Sequence, residues 1–320
     1  MMDRRQWIGM ALGAGAAIGL GPRFAFAEAT APLNARPIPS SGEKIPVIGL
    51  GSSATFRSAA DSEDARGLAE VLKTMVERGA TVFDTAPSYG ASEEVAGRLA
   101  RELGLTKKLF WATKVNVARG GGAADPAEAR AQVEESFRRF GVGAIDLIQV
   151  HNLGDVRNQL GILKELKAAK RVRYIGVTST SKAQYAELAR VMRAEPLDFI
   201  GVDYAVDNRS AEDEILPLAL ERRIAVMVYA PFGRTRLFQR VGERPLPPWA
   251  ADLDAASWAQ FFLKYVLGHP AVTVVTPATS KARHMVDNLG GGTGRIPDDA
   301  ARERMAAFVD ALPGDSPSSS

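Results

Sequence analysis

No cysteine occurs among the 320 residues, which excludes disulfides, thiol nucleophiles and Cys-ligated zinc or iron–sulfur centres. Histidine is almost as scarce: His151, His269 and His284 are all there are, which argues against a metal centre. Charge of one sign is missing too. Forty basic against 37 acidic residues leave a formal +3, not the broad positive field that holds nucleic acid. The uncharged apolar stretch Trp7–Leu20 spans 14 residues, short of the ~20 that cross a bilayer as a helix. What is present, 46% hydrophobic and 24% charged residues, is the make-up of a globular chain with one large α/β domain or two ordinary ones.

The amino terminus reads as an address. Asp3-Arg4-Arg5-Gln6-Trp7-Ile8 puts two arginines directly before the apolar stretch, and Ala25-Phe26-Ala27 follows as a small-x-small cleavage pattern. The segment resembles a twin-arginine signal cut after Ala27; an uncleaved membrane anchor is the other reading. The resemblance implies export through the twin-arginine machinery to a bacterial periplasm. The protein would travel folded with any cofactor aboard, and no stable membrane insertion would remain after cleavage. Residues 1–27 hold three arginines and one aspartate, so most of the basic surplus leaves with them. Residues 28–44 are expected to be extended, and the Pro-Ser-Gly tail 313–320 to be disordered.

From residue 45 onward, short apolar runs alternate with amphipathic helical ones. Eight strands are expected: 45–50, 81–84, 109–115, 145–150, 173–178, 199–203, 224–229 and 272–276. Helical spacing lies between them, as at Leu68, Leu72, Met75 and Val76 behind an Asp61-Ser62 cap, and over 92–103, 126–140, 155–170, 181–193, 210–222 and 280–289. Near-continuous apolar strands suit a parallel sheet covered by helices. Eight βα units in about 250 residues make an α/β (β/α)8 TIM barrel over 45–312. A doubly wound sheet is the alternative, but Gly49-Leu50-Gly51-Ser52-Ser53-Ala54 lacks the third glycine of a dinucleotide fingerprint. The stretch 233–256 reads as a loop over the site, and Gly120-Gly121-Gly122 as a second mobile one.

Catalytic groups of a barrel gather at the carboxyl ends of its strands. Asp84 closes the second strand, Lys114 stands near the end of the third, His151 follows the fourth, and Tyr89 lies five residues past Asp84. Asp146 begins its strand and reads as structural. Singly, each has an ordinary explanation: a rim ion pair, a packed loop aromatic, a satisfied imidazole. Lys114 as a Schiff-base nucleophile of a lyase, and a cofactor-binding barrel with a regulatory or scaffold role, are the competing functions.

Six motifs in order carry a resemblance across residues 45–290. They are Phe83-Asp84-Thr85-Ala86-Pro87-Ser88-Tyr89-Gly90, Ala112-Thr113-Lys114, Asp146-Leu147-Ile148-Gln149-Val150-His151, Arg173-Tyr174-Ile175-Gly176-Val177-Thr178, Tyr229-Ala230-Pro231-Phe232-Gly233-Arg234, and Thr279-Ser280-Lys281 through Asn288. Together they resemble the aldo-keto reductases. The resemblance implies reduction of a small aldehyde or ketone by hydride from NADPH, with NADH as the alternative donor. Tyr89 is then the general acid and His151 orients the carbonyl. A free phenol near pKa 10 is a reluctant donor at neutral pH, and a buried ammonium at Lys114, kept charged by Asp84, is expected to lower it.

The resemblance also implies cofactor contacts. Asp84 is among them, Tyr229 stacks on the nicotinamide, and Thr178 and Ser179 stand at its carboxamide. Gly201 occurs where the family often has Gln. Pro231, Phe232, Gly233, Arg234 and Leu237 follow the pyrophosphate. Thr279, Ser280, Lys281, Arg283 and His284 surround the 2′-phosphate, and Asn288 the adenine. A phosphate near Lys281 or Arg283 would also meet the free amides of a helix start.

Overall fold

The computed structural model describes residues 32–57, 63–118 and 122–312. The expected signal at 1–27, the glycines at 120 and 121 and the tail at 313–320 lie outside them. The chain first makes a small antiparallel hairpin, β1 (Ala35–Pro37) against β2 (Lys44–Pro46). Then β3 (Leu50–Gly51), β4 (Val82–Asp84), β5 (Phe110–Val115), β6 (Ile145–Val150), β7 (Val172–Ser179), β8 (Phe199–Asp203), β9 (Ala225–Tyr229) and β10 (Val272–Val275) form one parallel sheet in sequence order. Parallel bridges Ile48 to Val275 and Gly51 to Ala278 join its two edges. The sheet is therefore a closed cylinder.

Helices α1 (Glu63–Glu77), α2 (Ser92–Glu102), α3 (Pro126–Phe140), α4 (Val156–Ala168), α5 (Tyr185–Ala194) and α6 (Ile215–Arg222) each follow a strand. Helices α7 (Arg236–Val241) and α8 (Trp258–Gly268) precede β10, and α9 (Ala282–Gly290) and α10 (Asp299–Asp310) follow it. Strand alternation divides the core in two. Val82, Phe110, Ala112, Leu147, Tyr174, Phe199, Ala225, Met227 and Val274 fill the cylinder, and Ile38 and Ile45 of the hairpin pack against them. Intervening residues such as Trp111, Ile148, Ile175, Ile200 and Val226 belong to the larger cluster that the helices share.

Two expectations need correction. The expected strand 45–50 is two pieces. Ile45 belongs to the hairpin, and the barrel strand begins only at Leu50. Pro46 has no N–H to extend a ladder, and Val47 N–H turns aside to Asn34 O at 3.0 Å. The expected loop 233–256 carries α7 and two 3₁₀ turns, Gly233–Thr235 and Pro248–Leu253, with Leu237, Val241, Ala250 and Leu253 buried. Among the described residues, no helix is long and apolar enough to cross a membrane.

Candidate active site

On β5 the alternation that points Phe110 and Ala112 into the barrel also points Lys114 there, one layer nearer the carboxyl end. Asp84 stands beside it at the end of β4. Both are almost wholly buried, at 1% and 3% exposure. The ammonium donates to Asp84 Oδ1 at 2.9 Å, Asp84 Oδ2 at 3.0 Å and the Thr85 carbonyl at 2.8 Å. A lysine has three N–H groups, and these acceptors match them. Burial works against this charge, but Asp84 and the nearby phenols outweigh it and lift Lys114 above its ordinary range. A Schiff-base nucleophile needs a free amine; Lys114 is held as a cation.

The chain leaves β4 through a turn in which Tyr89 N–H donates to Ala86 O at 3.0 Å. Gly90 ends it with φ +62°, where a Cβ would lie 2.9 Å from Arg57 O. Glycine thus lets the turn close and brings Tyr89 back over the barrel mouth. Lys114 Nζ lies 5.2 Å from the centre of the Tyr89 ring, and that ring meets the His151 ring edge to face at 5.8 Å. Asp84, Tyr89, Lys114 and His151 all line one cleft of about 770 Å³.

The electrostatics differ from the expected lowering. Burial raises the Tyr89 hydroxyl, Lys114 pulls it down and Asp84 adds to the rise; the net direction is upward. Burial is the largest cause: it disfavours the phenolate more than Lys114 favours it, and Asp84 offsets part of that pull. Tyr89 is therefore firmly protonated at neutral pH. His151 moves the other way, down to about 4, through burial first and Lys114 second, and is a neutral imidazole.

Tyr229 ends β9 and reaches across the barrel. Its hydroxyl accepts from Gln149 Nε2 at 3.0 Å and points to Asp84 Oδ1 at 3.5 Å, with Lys114 Nζ 5.1 Å from the ring centre. Gly201 makes room for it: a Cβ there would come within 2.6 Å of the Tyr229 hydroxyl oxygen. The absent side chain at 201 and the position of Tyr229 are one feature.

The expected cofactor residues divide. Thr178, Pro231, Phe232, Arg234, Thr279, Ser280, Lys281 and His284 line the same cleft as the four polar groups. Ser179, Gly233, Leu237, Arg283 and Asn288 do not. Ser179 is buried and donates to Gln184 Oε1 at 3.0 Å. Gly233 turns the chain at φ +56° beside Arg236. Leu237 is core and Asn288 is buried on α9, while Arg283 is exposed beside His284.

Sequence reasoning overlooked Asp203, which ends β8 on the inward face and lines the cleft beside Arg234 and Tyr229. Its Oδ1 is buried with no partner, and burial raises its carboxyl against Arg234. Its place at a strand's carboxyl end was the available signal. Asp146 lies at the opposite end, accepting from Trp111 N–H at 2.7 Å and Arg173 at 2.6 Å.

An eight-stranded parallel barrel with an acid, a lysine, a phenol and an imidazole in one cleft at its carboxyl rim is an enzyme's scaffold. Residues 47–308 match the model of the Aldo/keto reductase family, and the chain belongs to that family. It is 26% identical over 294 residues to aldo-keto reductase str7 of Strobilurus tenacellus, covering 81% of this chain and 86% of that one. It is 30% identical over 215 residues to aldo-keto reductase YhdN of Bacillus subtilis, 64% of each chain. An aldo-keto reductase of Klebsiella pneumoniae, solved in complex with NADPH, superposes with a TM-score of 0.69 at 25% identity, covering 85% of this chain and 93% of that one.

Proposed function

We propose that this chain reduces an aldehyde or ketone with NADPH, Tyr89 giving the proton to the carbonyl oxygen. The observation that carries the reading is the Lys114–Asp84 pair, with Tyr89 and His151, in a cleft that continues to Ser280, Lys281 and His284. When bound, NADPH supplies the hydride. Tyr89 holds its proton until the oxygen gains negative charge. The buried Lys114 cation then steadies the phenolate left behind. His151, neutral, orients the same oxygen by hydrogen bonding.

The residues present fit such a cofactor. Arg234 and Lys281 face the cleft with Thr279 and Ser280 at the start of α9, suited to phosphates. The orphaned Asp203 Oδ1 offers an acceptor for an N–H or O–H on the same wall. A titration with NADPH and NADH, followed by a carbonyl panel, tests the reading. Saturable NADPH binding with turnover is expected. Tight binding without reduction of any member would leave a cofactor-holding scaffold.

Residues 1–27 add a location. The Arg4-Arg5 pair, the short apolar stretch and Ala25-Phe26-Ala27 support twin-arginine export to the periplasm, with the cofactor loaded beforehand. Protein recovered from a periplasmic fraction should begin at Glu28 and fluoresce as bound nicotinamide. An unprocessed chain confined to the cytoplasm would refute the export step.

A further inference from the structure

The loop leaving β5 is pinned from behind. Asn116 N–H donates to Gln132 Oε1 of α3 at 2.7 Å, and Val117 N–H donates to Gln159 Oε1 of α4 at 3.2 Å. Gln159 is fully buried and Gln132 half-buried. It directs the Asn116 side chain at His151, with Nδ2 3.2 Å from Nδ1 of the imidazole. The His151 backbone is fixed as well. It opens a 3₁₀ turn whose next residue, Asn152, donates its N–H to Thr178 Oγ1 at 2.9 Å.

An amide nitrogen can only donate, so Nδ1 accepts and the proton of the neutral ring resides on Nε2. We propose that Asn116 is a positioning residue for the reaction: by donating to Nδ1 it locks His151 in the tautomer whose Nε2–H faces the carbonyl oxygen. With the proton on Nδ1, Nε2 would meet that oxygen with a lone pair and repel it. The inference rests on the reductase reading for its consequence, but the tautomer itself is a property of the free protein.

The charged and titratable groups around the ring are few. Lys114 faces it from β5 and Tyr89 from the loop before α2. Asp155, four residues on, accepts Ala124 N–H at 2.7 Å and Asn158 Nδ2 at 2.7 Å. No carboxylate therefore competes with Asn116 for the ring among the groups acting on it.

The test is nitrogen NMR of histidine-labelled protein without substrate, run beside the pH–rate profile. In the unmodified chain, the ring of His151, identified by the signals lost in His151→Asn, should show Nε2 as the protonated nitrogen of a neutral imidazole from pH 6 to 8, and that ring alone is read in every variant. Asn116→Asp presents an acceptor in place of the donor. It should move the proton to Nδ1, raise the imidazole pKa, and slow carbonyl reduction about 10–100-fold near pH 8, with partial recovery as acid restores Nε2–H. Asn116→Gln, which keeps a donor, should retain the original nitrogen signature if it folds. Because the spectrum needs no turnover, the two readings fail separately. A native Nδ1–H resonance, or an Asn116→Asp spectrum and pH profile like those of the unmodified chain, would overturn the tautomer lock. Nε2–H in a protein that reduces no carbonyl would sink the reductase reading.

Discussion

At the amino end of the barrel Phe110, Tyr174 and Phe199 pack ring on ring, 5.8–6.4 Å apart, under Ile38 and Ile45 of the hairpin. Its polar groups are paired: Asp146 and Glu43 share Arg173, and the Tyr174 hydroxyl donates to Glu43. The carboxyl end follows other rules. There Gln149 Oε1 and Asp203 Oδ1 are buried without partners, and left-handed non-glycine backbone is more frequent, at Asn152, Leu153, Ala230, Arg234 and Thr235, than in the amino-end turns, where Lys170 and Arg223 carry it. Unsatisfied acceptors and non-glycine residues at positive φ each cost of order 1–3 kcal/mol. The comparison teaches that stability is concentrated at one end and that the other carries groups arranged for a ligand.

Two substitutions sharpen it, one at each end. Tyr89→Phe removes one oxygen from the rim and nothing from the core. Turnover should fall about 10²–10⁴-fold, the usual worth of a general acid, while the NADPH dissociation constant stays within about twofold and the urea midpoint barely moves. A variant keeping most of its kcat would remove Tyr89 from the proposed role. Phe199→Ala, at the other end, should do the reverse. It empties a fully buried site and should cost about 3–5 kcal/mol of stability, with kcat per folded molecule unchanged. If Phe199→Ala slowed turnover as much as Tyr89→Phe, the division between the ends would be false.

The same division explains what could be read from the sequence. Seven of the eight barrel strands stand out because parallel strands covered by helices are almost wholly apolar, and Asp84, Lys114 and His151 are conspicuous as polar groups at the ends of those runs. The first strand misled because Ile45 and Leu50 are one apolar run but serve two sheets, a difference that only the pairing of Val47 and Gly49 with distant chain reveals. Helix α8 was missed since Trp258–Gly268 is apolar nearly all round, with eight of its residues buried and no polar stripe to betray a period. Gly201 looked like a missing contact; only the path of Tyr229 shows that it is a space in use. The direction of the Tyr89 shift was also beyond reach, because it depends first on how deeply the fold buries the phenol and then on the balance of Lys114 against Asp84.

The smallest effect concerns acid, and it draws on both ends. His151 at the rim and His269 at the base are each held down to about 4 from an ordinary 6.5, burial being the first cause in both. The sign follows from which state binds protons. Below 6.5 the unfolded chain takes up protons on these imidazoles, while the folded chain takes them up only near 4. Stability is therefore full above 6.5 and declines as pH falls toward 4. Glu135 is held at about 2 by its bonds from Arg138, so its own contribution begins to fade only below its ordinary 4.5. In the interval from about 6.5 to 4.5 each imidazole should cost of order 1 kcal/mol, offset in part by Asp146 and Asp203, whose carboxyls burial raises and which take up protons in the folded chain first. Urea midpoints measured from pH 7 to 5 should fall, and His151→Asn and His269→Asn should each remove part of the slope. The rim variant loses activity and the base variant keeps it, so equal slopes with unequal turnover would show that acid sensitivity, unlike chemistry, belongs to neither end alone. A slope that neither substitution changes would mean that neither imidazole is desolvated as the fold requires.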